Sequence, residues 1–135
     1  VLHSFDWDLL KECRRLAPNM PRSYLSQLPE SLDDPYDKPS EEISPDFSSF
    51  NGSIPEAIEA AGGHLWCPYF KDLTADLVAE AHNLGLPVCT WTVHEVEDFE
   101  NMIDLGVDGI ITDYTDRAKN IFKSRGLQWQ WLGER

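Results

Sequence analysis

The sequence predicts an α/β chain built on parallel strands, and two observations carry that prediction. Short β-branched and apolar runs alternate with longer stretches whose apolar residues recur at three- and four-residue intervals. One unit also occurs twice. Leu84-Gly85-Leu86-Pro87 leads into the run 88–93, and Leu105-Gly106-Val107-Asp108 leads into 109–112, with the two Leu-Gly pairs 21 positions apart. A helix stopped by Leu-Gly, a two-residue connection and a short strand form the αβ step of a parallel sheet, in which glycine supplies the left-handed cap that turns the chain back. By themselves these features fit either a (β/α) barrel or an open doubly wound sheet.

Residues 1–5 (Val-Leu-His-Ser-Phe) are short, apolar and β-compatible. They read like the inside of a strand, so the chain is expected to begin in mid-domain. Asp6 is placed to cap a helix over 7–16, with Leu9, Leu10, Cys13 and Leu16 at helical spacing and Pro18 and Pro21 beyond its end. Residues 23–28 form a short strand. The segment 29–52 then changes character. It holds Pro29, Pro35, Pro39 and Pro45, and the acids Glu30, Asp33, Asp34, Asp37, Glu41, Glu42 and Asp46 face a single base, Lys38. It is expected to be a long acidic loop insertion with at most one turn of helix.

A short helix over 54–61 tolerates Pro55 in its first turn and closes at Gly62-Gly63. Residues 65–68 form a buried strand stopped by Pro68. Thr74 caps the next helix, whose face is Leu73, Leu77, Val78, Ala81 and Leu84. The run 88–93 (Val-Cys-Thr-Trp-Thr-Val) is a strong strand. Val96, Phe99, Met102, Ile103 and Leu105 give a further helical face, and 109–112 and 117–124 a last strand and helix. The chain therefore divides into an αβ part over 1–125 and a tail over 126–135.

Composition bounds the function. The 135 residues carry 24 Asp and Glu against 11 Lys and Arg, a formal charge of −13. That balance opposes non-specific nucleic-acid binding and attachment to anionic membranes, both of which need clustered cations. No apolar run approaches a membrane span of about 18 residues. Cys13, Cys67 and Cys89 lack any Cys-x-x-Cys spacing, so they are expected to be reduced thiols in a cytoplasmic protein. Neither a Gly-x-Gly-x-x-Gly nor a Walker motif is present.

In a parallel αβ barrel, reactive side chains sit where strands end. Those positions are Ser4, Phe5 and Asp6; Pro68, Tyr69 and Lys71; Trp91, Val93, His94 and Glu95; and Thr112, Asp113 and Tyr114. Trp91-Thr92-Val93, an acidic helix, and then Leu105-Gly-Val-Asp-Gly-Ile-Ile-Thr-Asp-Tyr114 resemble the C-terminal part of the glycerophosphodiester phosphodiesterase family. Ser4-Phe5 resembles that family's strand-end Ser-Phe, and Leu73-Thr74 with the helix ending in Ala81-His82 and Gly85 also fits.

The resemblance implies the C-terminal half of a (β/α)8 TIM barrel of the phospholipase C-like phosphodiesterase type. It implies a phosphoric diester hydrolase that cleaves small glycerophosphodiesters to glycerol 3-phosphate and an alcohol in phospholipid turnover. It also implies a divalent metal, Mg or Ca, held by acidic side chains, with histidines as general acid and base. The family's His-Arg-Gly, Glu-x-Asp, His-Asp and Glu-x-Lys segments have no counterpart here. No catalytic residue or metal ligand is therefore carried over, and the fragment alone is expected to be inactive.

The resemblance does carry over the pocket wall. Trp91 and Phe5 correspond to aromatics that line the substrate site, where they can pack against the glycerol or alcohol moiety. Where the family has Asn after Trp-Thr-Val this chain has His94, a titratable ring expected at the pocket rim and a third candidate substrate contact. Where the family has Pro after Thr-Asp-Tyr this chain has Thr115. Asp113 is expected to cap the following helix. His3, His64 and His82 lack helical metal spacing, and Glu95, Glu97, Asp98, Glu100 and Asp104 read as a solvated helix face. Two alternatives remain open. One is a related phospholipase D-like or phosphoinositide-type diesterase. The other is a non-catalytic half-barrel that pairs with a complementary half or with itself.

Overall fold

A computed structural model describes residues 1–28 and 47–128. Most of the expected acidic insertion, 29–46, and the tail from 129 onward lie outside the described residues. The elements are β1 (Leu2–Ser4), α1 (Trp7–Leu16), β2 (Arg22–Ser26), α2 (Ile54–Ala60), β3 (Leu65–Pro68), α3 (Ala75–Asn83), β4 (Cys89–Thr90), α4 (Val96–Leu105), β5 (Gly109–Ile110) and α5 (Thr115–Ser124). Single 3-10 turns at Phe47–Phe50 and Phe70–Asp72 precede α2 and α3.

Local chemistry sets the helix boundaries. Asp6 accepts a hydrogen bond from the Leu9 N–H, Ser53 from Glu56 and Thr74 from Leu77, so side chains satisfy three helix N-termini. Gly85 and Gly106 have φ of +74° and +80°, the left-handed conformation that ends α3 and α4 at the two Leu-Gly repeats. Helix α5 departs from expectation. Its first residues have no side-chain cap. Thr112 Oγ1 accepts from the Tyr114 N–H at 3.0 Å, and Asp113 is engaged elsewhere.

All pairing among the described residues is parallel. β1 pairs with β2 and β2 with β3, the bridges Trp66–Val88 and Tyr69–Trp91 join β3 to β4, and β4 pairs with β5. The spatial order β1-β2-β3-β4-β5 is the sequence order. Among the described residues no strand reverses it, as one would in a doubly wound sheet, and this sequential parallel order is that of a (β/α) barrel wall.

β4 is shorter than the run 88–93 suggests, because its neighbour cannot complete the ladder. The Trp66 N–H donates to Pro87 O at 3.0 Å. The next donor on β3 in a parallel ladder belongs to residue 68, a proline with no N–H. Pairing resumes where Trp91 donates to Pro68 O and Phe70 donates to Trp91 O. β5 is likewise shorter than 109–112, although Ile111 still donates to Thr90 O and Val93 to Ile111 O.

Alternate strand residues face opposite sides. Tyr24, Trp66 and Val88 point to the helices and join Leu10, Ile58, Val78, Phe99 and Met102 in one buried core. Cys67 and Tyr69 are also buried but stand outside that core, on the face that lines the barrel interior. Leu9 and Leu16, expected on the buried face of α1, are exposed. α1 lies beside the edge strand β1, Arg14 ties it to α2 through Ala61 O, and nothing among the described residues covers its other flank.

Candidate functional site

Three strands deliver an aromatic ring one residue past their C-terminal ends: Phe5 after β1, Tyr69 after β3 and Trp91 after β4. All three have interior parity. The Phe5 and Trp91 rings meet edge to face with centroids 5.4 Å apart, and Tyr69 lies 5.2 Å from Trp91. Trp91 is anchored by its indole N–H, which donates to Cys67 O at 2.9 Å. Tyr69 is buried and Phe5 is 41% exposed, so the trio has an anchored floor and an open side. Lys71 Nζ lies 5.8 Å from the Tyr69 and Phe70 ring centres, which sets a cation beside the platform.

The third sequence candidate, His94, belongs to a separate cluster on the same rim. His94 Nε2 lies 2.9 Å from Asp113 Oδ2, and its ring meets Tyr114 edge to face at 5.2 Å. Arg117 stacks over Tyr114 at 4.6 Å, donates to the His94 carbonyl and pairs with Glu95. Asp113, expected to cap α5, is instead the acceptor that orients the His94 ring. The reason is geometric: Asp113 leaves β5 beside the end of β4, within reach of His94 and away from the first N–H groups of α5.

The sequence places Tyr69, Lys71 and Asp113 at strand ends but singles out neither Tyr69 nor Lys71 as a site residue. The Pro-Tyr-Phe-Lys run after β3 was the available signal, an aromatic and a cation at a barrel strand terminus. Among the described residues, no three His, Cys, Asp or Glu side chains stand together as a metal site. The divalent ion implied by the resemblance therefore has no ligand set there.

A model of the glycerophosphoryl diester phosphodiesterase family matches residues 1–117. The chain belongs to that family. It is similar to a crystal structure from Silicibacter pomeroyi DSS-3 assigned to the glycerophosphoryl diester phosphodiesterases, with 55% identity and a TM-score of 0.77 over 95% of this chain and 39% of that one. It is 37% identical over 59 residues to a glycerophosphodiester phosphodiesterase of Caldanaerobacter subterraneus subsp. tengcongensis, covering 44% of this chain and 24% of the relative. An Oleispira antarctica phosphodiesterase solved with the product sn-glycerol-3-phosphate shares the fold at 16% identity, with a TM-score of 0.66 over 90% of this chain and 40% of that one. The chain thus spans less than half the length of these family relatives. No described helix is long and apolar enough to cross a membrane.

Proposed function

We propose that the chain is the C-terminal half of a (β/α)8 barrel that hydrolyses glycerophosphodiesters to glycerol 3-phosphate and an alcohol during phospholipid turnover in the cytoplasm. The observation that carries this reading is the Phe5–Tyr69–Trp91 platform at the strand ends, the barrel mouth where substrates bind. It agrees with family membership and with the product named for the Oleispira relative.

In this reading Trp91 and Phe5 pack against the carbon skeleton of the diester and exclude water from one side of it. His94, held by Asp113, offers a proton-bearing ring at the rim, and Lys71 offers a cation to the phosphate. A Mg or Ca ion would neutralise phosphate charge when bound, and its ligands would come from residues outside this chain. The 29–52 segment would be a loop of the same barrel, with 126–135 as its tail.

The test is release of glycerol 3-phosphate from glycerophosphocholine. The expected result is metal-dependent release by the protein extended upstream to a full barrel, and none by the 135 residues alone. Release by the short chain would refute its assignment as a catalytically incomplete half.

A further inference from the structure

One layer below the aromatic platform, the barrel interior holds a pair of thiols. The bridges Trp66–Val88 and Tyr69–Trp91 fix the register between β3 and β4, and that register sets Cys67 directly opposite Cys89. Both cysteines are free. Cys67 is fully buried and outside the helix-facing core. A Cβ at Gly109 would lie 2.9 Å from the Cys89 sulfur, so the glycine on β5 leaves the space that this sulfur occupies.

The pair stands where the β3–β4 ladder lacks one hydrogen bond, because Pro68 supplies no N–H between the bonds Trp66 N–H to Pro87 O and Trp91 N–H to Pro68 O. Opposed positions on neighbouring strands lie about 4.8 Å apart, within the roughly 4.4–6.8 Å between Cα atoms that a disulfide spans. The missing ladder bond leaves β3 and β4 free to make the small approach that an S–S bond needs.

We propose that Cys67 and Cys89 form a two-thiol oxidation site that closes to a disulfide on reaction with a hydroperoxide and fastens β3 to β4 beneath Trp91. Interaction between the two thiols holds Cys89 below its ordinary range and, together with burial, pushes Cys67 up. Cys89 is half-buried where Cys67 is fully buried, so it is the sulfur a peroxide reaches and the attacking one. Its thiolate attacks a peroxide oxygen and the O–O bond breaks. The departing hydroxide takes a proton to become water, leaving a sulfenic acid on Cys89. The Cys67 sulfur then attacks Cys89 Sγ, the S–O bond breaks, and the leaving hydroxide takes the Cys67 proton as a second water. Two thiols are oxidised by two electrons and one hydrogen peroxide is reduced. Because Trp91 bonds to Cys67 O, closure acts directly on the platform wall. The proposal does not depend on the phosphodiesterase reading.

The test treats the full chain with hydrogen peroxide, blocks remaining thiols with iodoacetamide and maps the peptides. The expected result is a dithiothreitol-reversible Cys67–Cys89 link with Cys13 still alkylated. Cys67→Ser should accumulate a dimedone-trapped sulfenic acid at Cys89, and Cys89→Ser should leave Cys67 unreacted. Should Cys67→Ser fail to fold by circular dichroism, the unmodified chain's peptide map decides alone. Full alkylation of all three cysteines after peroxide, or oxidation of Cys13 as fast as Cys89, would overturn the proposal.

Discussion

Phe5 and Trp91 touch edge to face at 5.4 Å, although β1 and β4, which carry them, are three strand spacings apart in the sheet order. In a flat sheet three spacings amount to about 14 Å. The strand ends therefore converge on a common axis, and the contact is a direct consequence of barrel curvature. A double-mutant cycle on Phe5→Leu and Trp91→Leu is expected to give a coupling of about 0.5–1.5 kcal/mol in urea unfolding, the usual range for aromatic pairs. Zero coupling would mean that the rings merely lie near one another. In the full barrel, Trp91→Ala should raise KM for glycerophosphocholine by about tenfold, which corresponds to roughly 1.4 kcal/mol of lost binding.

The His94–Asp113 pair makes a contrasting prediction. The Asp113 side chain is 77% exposed, so solvent screens the pair. Asp113→Ala should change stability by no more than about 0.5 kcal/mol. Under the proposed function its effect should appear in catalysis, because the ring it orients is a proposed substrate contact. Both Asp113→Ala and His94→Asn are expected to change the pH profile of kcat/KM in the full-length enzyme. Identical profiles for wild type and variants would remove His94 from the site.

His3 gives the chain an acid-sensitive point. Its Nδ1 lies 2.8 Å from Ser23 Oγ, and desolvation holds its pKa below the ordinary value of 6.5. A depressed histidine favours the neutral form in the fold, while the unfolded chain takes up the proton first. The stability linked to His3 is therefore fully present above 6.5 and lost as pH falls through that value toward the lower folded one. Thermal melts between pH 7.5 and 5 should show a steeper acid loss for the wild type than for His3→Asn. Parallel curves would assign the acid sensitivity to another group.

Asp108 is a positioning device for β4. Its Oδ2 accepts from the Val88 N–H and lies 2.8 Å from His82 Nε2, while its own N–H donates to Val88 O. Asp108→Ala should cost about 1–2 kcal/mol by leaving the Val88 donor without its carboxylate. Asp108→Asn keeps one acceptor oxygen and should cost less. Urea midpoints at constant m-value decide between these outcomes.

Local signals made much of the fold legible. Asp6, Thr74 and the Leu-Gly pairs act on N–H and C=O groups within a few residues, so the ends of α1, α3 and α4 could be read from the sequence. The strand runs were legible in place but not in length, because the gap beside β4 comes from Pro68, more than 20 positions away on β3. The candidate site was legible in part for the same reason. Strand-end position named Phe5, Tyr69, Trp91 and His94 alike and the family resemblance singled out Phe5, Trp91 and His94, whereas the part played by Tyr69 follows from its distance to Trp91. Asp113 looked like a cap because its sequence neighbours are helical, and in the fold His94 is the nearer partner.

The length of 135 residues, the −13 charge and the alternation of capped helices with short strands are properties of the sequence alone. They determined an α/β chain with parallel pairing and the order of its elements. Only the tertiary structure decided that the strands stand in sequential order, that their ends converge on Phe5, Tyr69 and Trp91, and that Cys67 faces Cys89. Local propensity fixes dihedral angles over one or two turns. The curvature of a sheet is set by packing between residues far apart in the chain, and no local pattern encodes it.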